Sequence, residues 1–413
     1  MINRIILIGN GFDLAHGMKT SYWDFMYDYW RNSFAGFHNT NAGVYKNDEF
    51  EIIEFIAKDA FKDHKEFLYM MANSSRVVKR LNSFFFKLST HLHRWDWVDV
   101  EQAYYEELLL CKSHGASNSN FDIKVLNQDF EKIKILLEKY LIKIEENTKV
   151  NKRIINSIKS IVREDFNFKD FSENGLRKFS DELLQKLQPY FSPVSQNDPS
   201  YLSNFEKMIV LNSADDNFSK ASFFKYLKGL KMPFDKLSPL TFLTFNYTKT
   251  EQSYVDDEID EVIHIHGELN NTKNSIIFGY GDELDDNFKE IEKLIDNDYL
   301  DNVKSINYAN TDNYKRLLQT INSGLFQVYV LGHSCGNSDR TLLNTIFEHE
   351  NCVSIKPFYY KMSETADDYL KIYKNISRNF NDKAKLRDRV VNKMLCRPLL
   401  PLDIQKEVVS IKS

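Results

Sequence analysis

Several short stretches hold residues able to do chemistry, and most follow an apolar run. After the apolar residues 5–8 comes Gly9-Asn10-Gly11-Phe12-Asp13. Two glycines one residue apart bare the backbone, so its N–H groups could approach an anion ahead of a helix. The third glycine of the dinucleotide fingerprint is missing, because Leu14 stands there. A tight turn without a ligand is the other reading. Asp13 repels phosphate and suits ribose hydroxyls or a helix N-cap better. After residues 240–243 comes Thr244-Phe245-Asn246-Tyr247-Thr248. The Asn246 amide donates and accepts, so it can orient a water or a sugar hydroxyl, or simply satisfy a turn.

Then comes His264-Ile265-His266-Gly267-Glu268. Strand alternation would put both imidazoles on one face, as a metal pair needs, though no third ligand has companion spacing. Otherwise His266, at the strand end, does acid/base work and His264 belongs to the core. Phe278-Gly279-Tyr280-Gly281-Asp282-Glu283 is either a loop over a site or a turn. Finally, Gly332-His333-Ser334-Cys335-Gly336 matches the nucleophile elbow G-x-S-x-G. A hydrolase triad needs a late histidine, and only His349 follows, fifteen residues after the serine. Ser334 and the N–H groups around it therefore read as a ligand-binding loop, with Asp339 near the next helix start.

These stretches need a scaffold that brings them together. The short apolar runs at 240–245, 262–265, 275–278, 326–331 and 353–355 suit buried parallel strands. Phe130, Ile133, Leu137, Tyr140, Leu141 and Ile144 recur at helical spacing, as do Ile154, Ile155, Ile158, Ile161 and Val162, and the two stretches predict a helical hairpin. The fold class is thus α/β: a Rossmann-like parallel sheet flanked by helices, with a large, mostly helical insertion after the first βα unit. Residues 1–30 plus 236–413 would form the nucleotide-binding domain, and 31–235 the helical insertion. In such sheets ligands sit beyond the carboxyl ends of the strands. The helical block reads as a lid and oligomer interface, so a homo-oligomer is expected. His91, His93, Trp95 and Trp97 read as packing, while Asp99 and Glu101 could reach the site.

At 413 residues, two lobes are expected. A net charge of −5 argues against general nucleic-acid binding. No apolar run of about 18 residues exists to cross a membrane. Four cysteines without a CxxC pair indicate neither a zinc ribbon nor a disulfide framework, and reduced thiols fit a cytoplasmic location.

The order GNGFDxxHGxxTSYxDF, TFNYT, HIHGE, FGYGDE, LGHSxxxSD resembles the AbiH family of bacterial abortive-infection proteins, over about 1–30 and 240–350. It is more remotely similar to the sirtuin fold. Gly9-Asn10-Gly11, Gly17 with Asp24-Phe25, Thr244-Phe245-Asn246, His266-Gly267 and Gly332-His333-Ser334 stand where that fold has its signatures. The four-cysteine zinc module of sirtuins is absent, so protein deacylation is not expected. What the resemblance implies is phage defence by hydrolysis of NAD, which enters as substrate or ligand with no further cofactor and no metal. Asn246 and His266 would be catalytic. Gly9, Asn10, Gly11, Phe12, Asp13, Asp24, Thr244, Tyr247, Gly332, His333, Ser334 and Asp339 would hold the nucleotide. A phage-derived trigger would be a partner. The rival readings are a nucleotide sensor without turnover, a metal-dependent nuclease or hydrolase using His264, His266 and Asp13, and an interaction protein.

Overall fold

The computed structural model describes residues 2–40, 44–93, 100–114, 122–149, 151–191, 198–212, 219–235 and 238–412, with side chains undescribed at 91–93, 199 and 409–412. Its centre is a five-stranded parallel sheet. The strands are β1 (Asn3–Ile8), β2 (Leu240–Thr244), β3 (Glu261–His264), β4 (Phe326–Leu331) and β5 (Cys352–Phe358), in spatial order β3-β2-β1-β4-β5. The helices that matter to the site are α1 (Asn10–Ala15), α2 (Tyr22–Asn39), α3 (Val100–His114), α4 (Ile123–Asn147), α5 (Lys152–Val162), α6 (Asn313–Asn322), α7 (Arg340–Phe347), α8 (Tyr369–Arg378) and α9 (Leu402–Lys412).

Alternation along β1 explains the layering. Ile5 and Leu7 join Ile263, Val328 and Val330 under residues of α6, α7 and α8. Ile6 and Ile8 face the other way, onto Phe242, Tyr329 and Leu331, covered by Ile154, Ile158 and Ile161 of α5 and by Ile404 and Val408 of α9. With both faces covered, the strands read as largely apolar runs, and each buried Ile or Val contributes roughly 1.5–3 kcal/mol. Buried polar residues such as Arg4, Gln327, Ser354 and Lys356 interrupt those runs, and Arg4 shows how one is accommodated. It is fully buried, its guanidinium lies over Phe166 and Tyr329, and it donates to the carbonyls of Val162 and Glu164.

Two sequence expectations are corrected here. Residues 275–278 form no strand. The segment lies beside the end of β3, where the Ile277 N–H donates to the His266 carbonyl at 2.7 Å, and its apolar side chains divide between two cores. A short apolar run satisfies burial without a ladder, so its pattern alone could not separate the two cases. The predicted hairpin of α4 and α5 is also not formed. Phe130, Ile133 and Leu137 of α4 pack with Trp30 and α3, whereas α5 packs on the sheet.

The stretch read as one helical block therefore serves several cores. Residues between Phe25 and Leu141 cluster around Trp30, while those between Phe166 and Leu227 pack with Ile2, Leu325 and Val353 at the sheet. The first cluster is tied to the sheet edge by the 278–283 loop, whose Phe278 stacks on Phe130 at 4.5 Å and whose Tyr280 stacks on Tyr105 at 3.9 Å. No described helix is long and apolar enough to cross a membrane.

Candidate active site

At the carboxyl edge of the sheet, the turn after β1 meets the turn after β4. Gly9 N–H donates to the Leu331 carbonyl and Gly11 N–H to the Gly332 carbonyl, at 3.3 and 2.7 Å. Phe12 N–H donates to the Gly9 carbonyl. A Cβ on Gly9 would lie 2.5 Å from the His333 Cα, and one on Gly11 2.6 Å from the Gly332 oxygen. The bare backbone thus serves a close crossing of two protein segments. Of the N–H groups at 9–12 and Ser334 expected to cradle phosphate, those of Gly9, Gly11 and Phe12 already have carbonyl partners. Helix α1 is a single short turn and a half, with the Phe12 ring in the core.

The turn after β2 is bound to the same crossing. Asn246 Nδ2 donates to the Gly9 carbonyl at 3.1 Å, and its N–H is taken by the Thr244 hydroxyl. Thr248 donates to Asp13 Oδ2 at 2.6 Å. Asp13 Oδ1 is buried without a partner, and burial, partly offset by Thr248, pushes the carboxyl up to about 6. Folded Asp13 therefore holds its proton more tightly than the unfolded chain does. Its contribution to stability is fully present below about pH 4 and is lost as pH rises through about 6. At about 1.36 kcal/mol per unit this is worth about 3 kcal/mol. Urea unfolding of the native chain and Asp13→Asn at pH 4, 5, 6 and 7 should show the native chain losing that amount relative to the variant. A constant difference across the series contradicts the assignment.

Three further expected ligand residues have structural partners. Asp24 forms a capping box with Ser21 at the start of α2, Asn10 Oδ1 accepts from Thr20, and the Tyr247 hydroxyl donates to the Ile277 carbonyl. Ser334 is exposed, and the strained residue of that turn is Cys335, with φ +53°. Cys335 is buried, which pushes its thiol far up, so the turn presents no activated nucleophile.

The two histidines at the end of β3 part company. The strand ends at His264, whose Nε2 pairs with Glu251 Oε1 at 3.1 Å. His266 lies in the following turn and goes elsewhere. Among the described residues, no three His, Cys, Asp or Glu side chains are arranged to hold a metal ion.

His266 enters the densest set of charges at this edge. Asp339 Oδ1 accepts from Lys304 Nζ at 2.8 Å and lies 3.3 Å from His266 Nε2, while its Oδ2 lies 3.5 Å from His333 Nε2. Lys304 also reaches Glu101 Oε2 at 2.8 Å. The Tyr308 hydroxyl lies 3.2 Å from His266 Nε2, and the Phe245 ring packs against both His266 and His333. Lys304 is 1% exposed and His266 4%. Coulombic attraction from Lys304 and His266, with hydrogen bonds from both histidines, outweighs burial and holds Asp339 well below the usual carboxylate range. It is then an acceptor only, which favours a proton on Nε2 of each histidine. The Cys335 N–H on His333 Nδ1, at 2.9 Å, requires the same tautomer. His266 is pushed down to about 4, first by burial and then by the Lys304 charge, so it is neutral at pH 7. No Nδ1 partner of His266 exists among the described residues.

Of the sequence candidates, the fold brings together Gly9, Asn246, His266, Gly332, His333 and Asp339. Lys304 and Tyr308 were missed, because they lie in a polar stretch with no motif. Glu101 does reach the site, whereas Asp99, Trp95 and Trp97 lie outside the described residues, as do the side chains of His91 and His93. A family model described as bacteriophage abortive infection AbiH matches residues 5–361, most of the chain and every element of this edge. No curated protein and no solved structure matches. The chain belongs to the AbiH family, and its role is in abortive infection by bacteriophage.

Proposed function

We propose that this chain is a hydrolytic effector of abortive infection that cleaves the nicotinamide–ribose bond of NAD. The observation that carries the reading is the approach of the Nε2 atoms of His266 and His333 to one buried carboxylate, Asp339, at the sheet edge where Asn246 holds the Gly9 carbonyl. This edge lies where the strand order reverses between β1 and β4, the place at which open α/β sheets gather nucleotides.

An Asp-oriented neutral imidazole is a general base held ready. Asp339 fixes the proton on Nε2 and leaves His266 Nδ1 to take one from water. The amide of Asn246 orients that water or the ribose. As the glycosidic bond lengthens, nicotinamide departs with the bonding electrons and positive charge grows on the ribose. Glu101, Lys304 and Asp339 together carry one net negative charge, which favours that centre. Water adds at the ribose carbon, its proton passes to His266, and ADP-ribose and nicotinamide result. Gly9, Gly11 and Phe12 take no part in holding the pyrophosphate. The residues named are buried, so substrate enters only through a local opening of this edge, and the charge set closes around it for the reaction.

Cellular NAD is the direct measurement. In cells expressing the chain and challenged with phage, NAD is expected to fall and free nicotinamide to rise, while Asn246→Ala and His266→Ala cells keep their pool. A level NAD pool in a culture that the wild-type chain protects would overturn the reading. Protection that survives in His266→Ala would point to a nucleotide sensor without turnover.

A further inference from the structure

Glu101 and Lys304 do no bond chemistry in the proposed reaction and touch no reacting atom. Burying a lysine with two carboxylates is costly unless every charge is paired. Here the pairing runs in line from the helical layer to the sheet. Glu101 of α3 accepts from Gly279 N–H on Oε1 at 3.4 Å and from Lys304 Nζ on Oε2, and Lys304 in turn reaches Asp339. The lysine backbone is fixed by the same loop, since Lys304 N–H donates to the Tyr280 carbonyl at 2.9 Å. A Cβ on Gly281 would lie 3.2 Å from the Lys304 Cβ, so the loop closes directly over the stem.

We propose that Lys304 and Glu101 are positioning residues: Lys304 pins Asp339 in the rotamer that holds both imidazoles, and Glu101 pins Lys304, so that α3 completes the site. This rests on His266 being the base of the proposed reaction. The groups facing His266 are Asp339, Lys304, His333 and Tyr308, with Glu101 behind Lys304. Only Asp339 among them favours a protonated imidazole directly, and Lys304 opposes it. Removing Lys304 thus takes away the nearby repulsion and frees Asp339 to turn. Both changes act on the histidine itself, which gives a readout that simple loosening of the fold does not produce.

Ring nitrogens of ¹⁵N-histidine in the full chain report tautomer and charge between pH 5 and 8. Wild-type His266 is expected to stay neutral with its proton on Nε2. In Lys304→Met its midpoint should rise by roughly one to three units, into that range, and Lys304→Arg should restore the wild-type signal. If Lys304→Met does not fold, Glu101→Gln is read instead; it keeps the cation and should show a mixture of Nε2–H and Nδ1–H forms. Unchanged titration and tautomer in folded Lys304→Met, or an unchanged tautomer in Glu101→Gln where Lys304→Met is unfolded, overturns the positioning role. No substrate is present, so the test separates the two ideas. Shifted signals in a chain that never releases nicotinamide keep the positioning pair and sink the NAD reading. Unshifted signals with nicotinamide release do the reverse.

Discussion

Alanine at His266 is expected to lower NAD hydrolysis by about 10²–10⁴-fold, the usual worth of general-base assistance, in a chain that still unfolds cooperatively. Asp339 keeps Lys304 and His333 as donors, so the substitution leaves no orphaned carboxylate. The stability loss should stay within the ordinary range for one buried side chain, about 1–3 kcal/mol. The pH dependence identifies the group. With His266 held down at about 4, the base is already unprotonated at pH 7 and remains so to about pH 5. Turnover of the wild-type chain should therefore be level from pH 7 to 5 in this limb and fall only near pH 4. An ordinary exposed histidine would give a fall near 6.5. Stability moves in step. The unfolded chain takes up the imidazole proton near 6.5 and the folded chain resists it, so the contribution is present above about 6.5 and is lost as pH falls toward 4. That is about 3 kcal/mol over the window, and His266→Ala should lack it. Nicotinamide release that is undiminished in His266→Ala, or an acid limb centred at 6.5, removes His266 from the role.

The largest structural effect is expected at Gly332. Its φ is +71°, a conformation L residues rarely hold, and an added Cβ would stand 2.1 Å from the Phe12 nitrogen and 2.4 Å from the Gly11 carbonyl carbon. Backbone atoms cannot swing aside as a side-chain tip can. Gly332→Ala must part the β1 and β4 turns, losing the Gly11–Gly332 hydrogen bond. Backbone strain and overpacking each cost about 1–3 kcal/mol, so a loss of roughly 2–6 kcal/mol is expected in urea unfolding. Gly229→Ala is the control, because its Cβ would meet only the Tyr226 oxygen at 3.5 Å. Equal stability of the two variants would show that the crossing is slack.

What the sequence could tell follows from how local each signal is. Four of the five expected later strands were legible, since a strand covered on both faces needs nothing but apolar residues. The fifth, 275–278, has the same composition, but what decides a strand is a partner's backbone, and that lies outside the segment. Asn246, His266 and Asp339 stood out as candidates because small residues and strand ends flag them. Lys304 did not, because what makes it part of the site is Glu101 and Asp339 approaching from segments 203 and 35 residues away. The glycines were noticed for a sound reason, and in the structure it is a second turn of the chain that approaches them. Their bareness admits another turn of the same chain, and sequence cannot say whether the visitor is a ligand or residue 332.

The position of β1 also governs when the molecule can come into being. It is made first, yet both its neighbours in the sheet, residues 240–244 and 326–331, are made much later. At roughly 5–20 residues per second on the ribosome, about 15–70 seconds pass before the second flank exists. Until then the opening segment has at most one flank to pair with. A transcript broken anywhere before codon 339 yields a polypeptide lacking the carboxylate that Lys304, His266 and His333 meet.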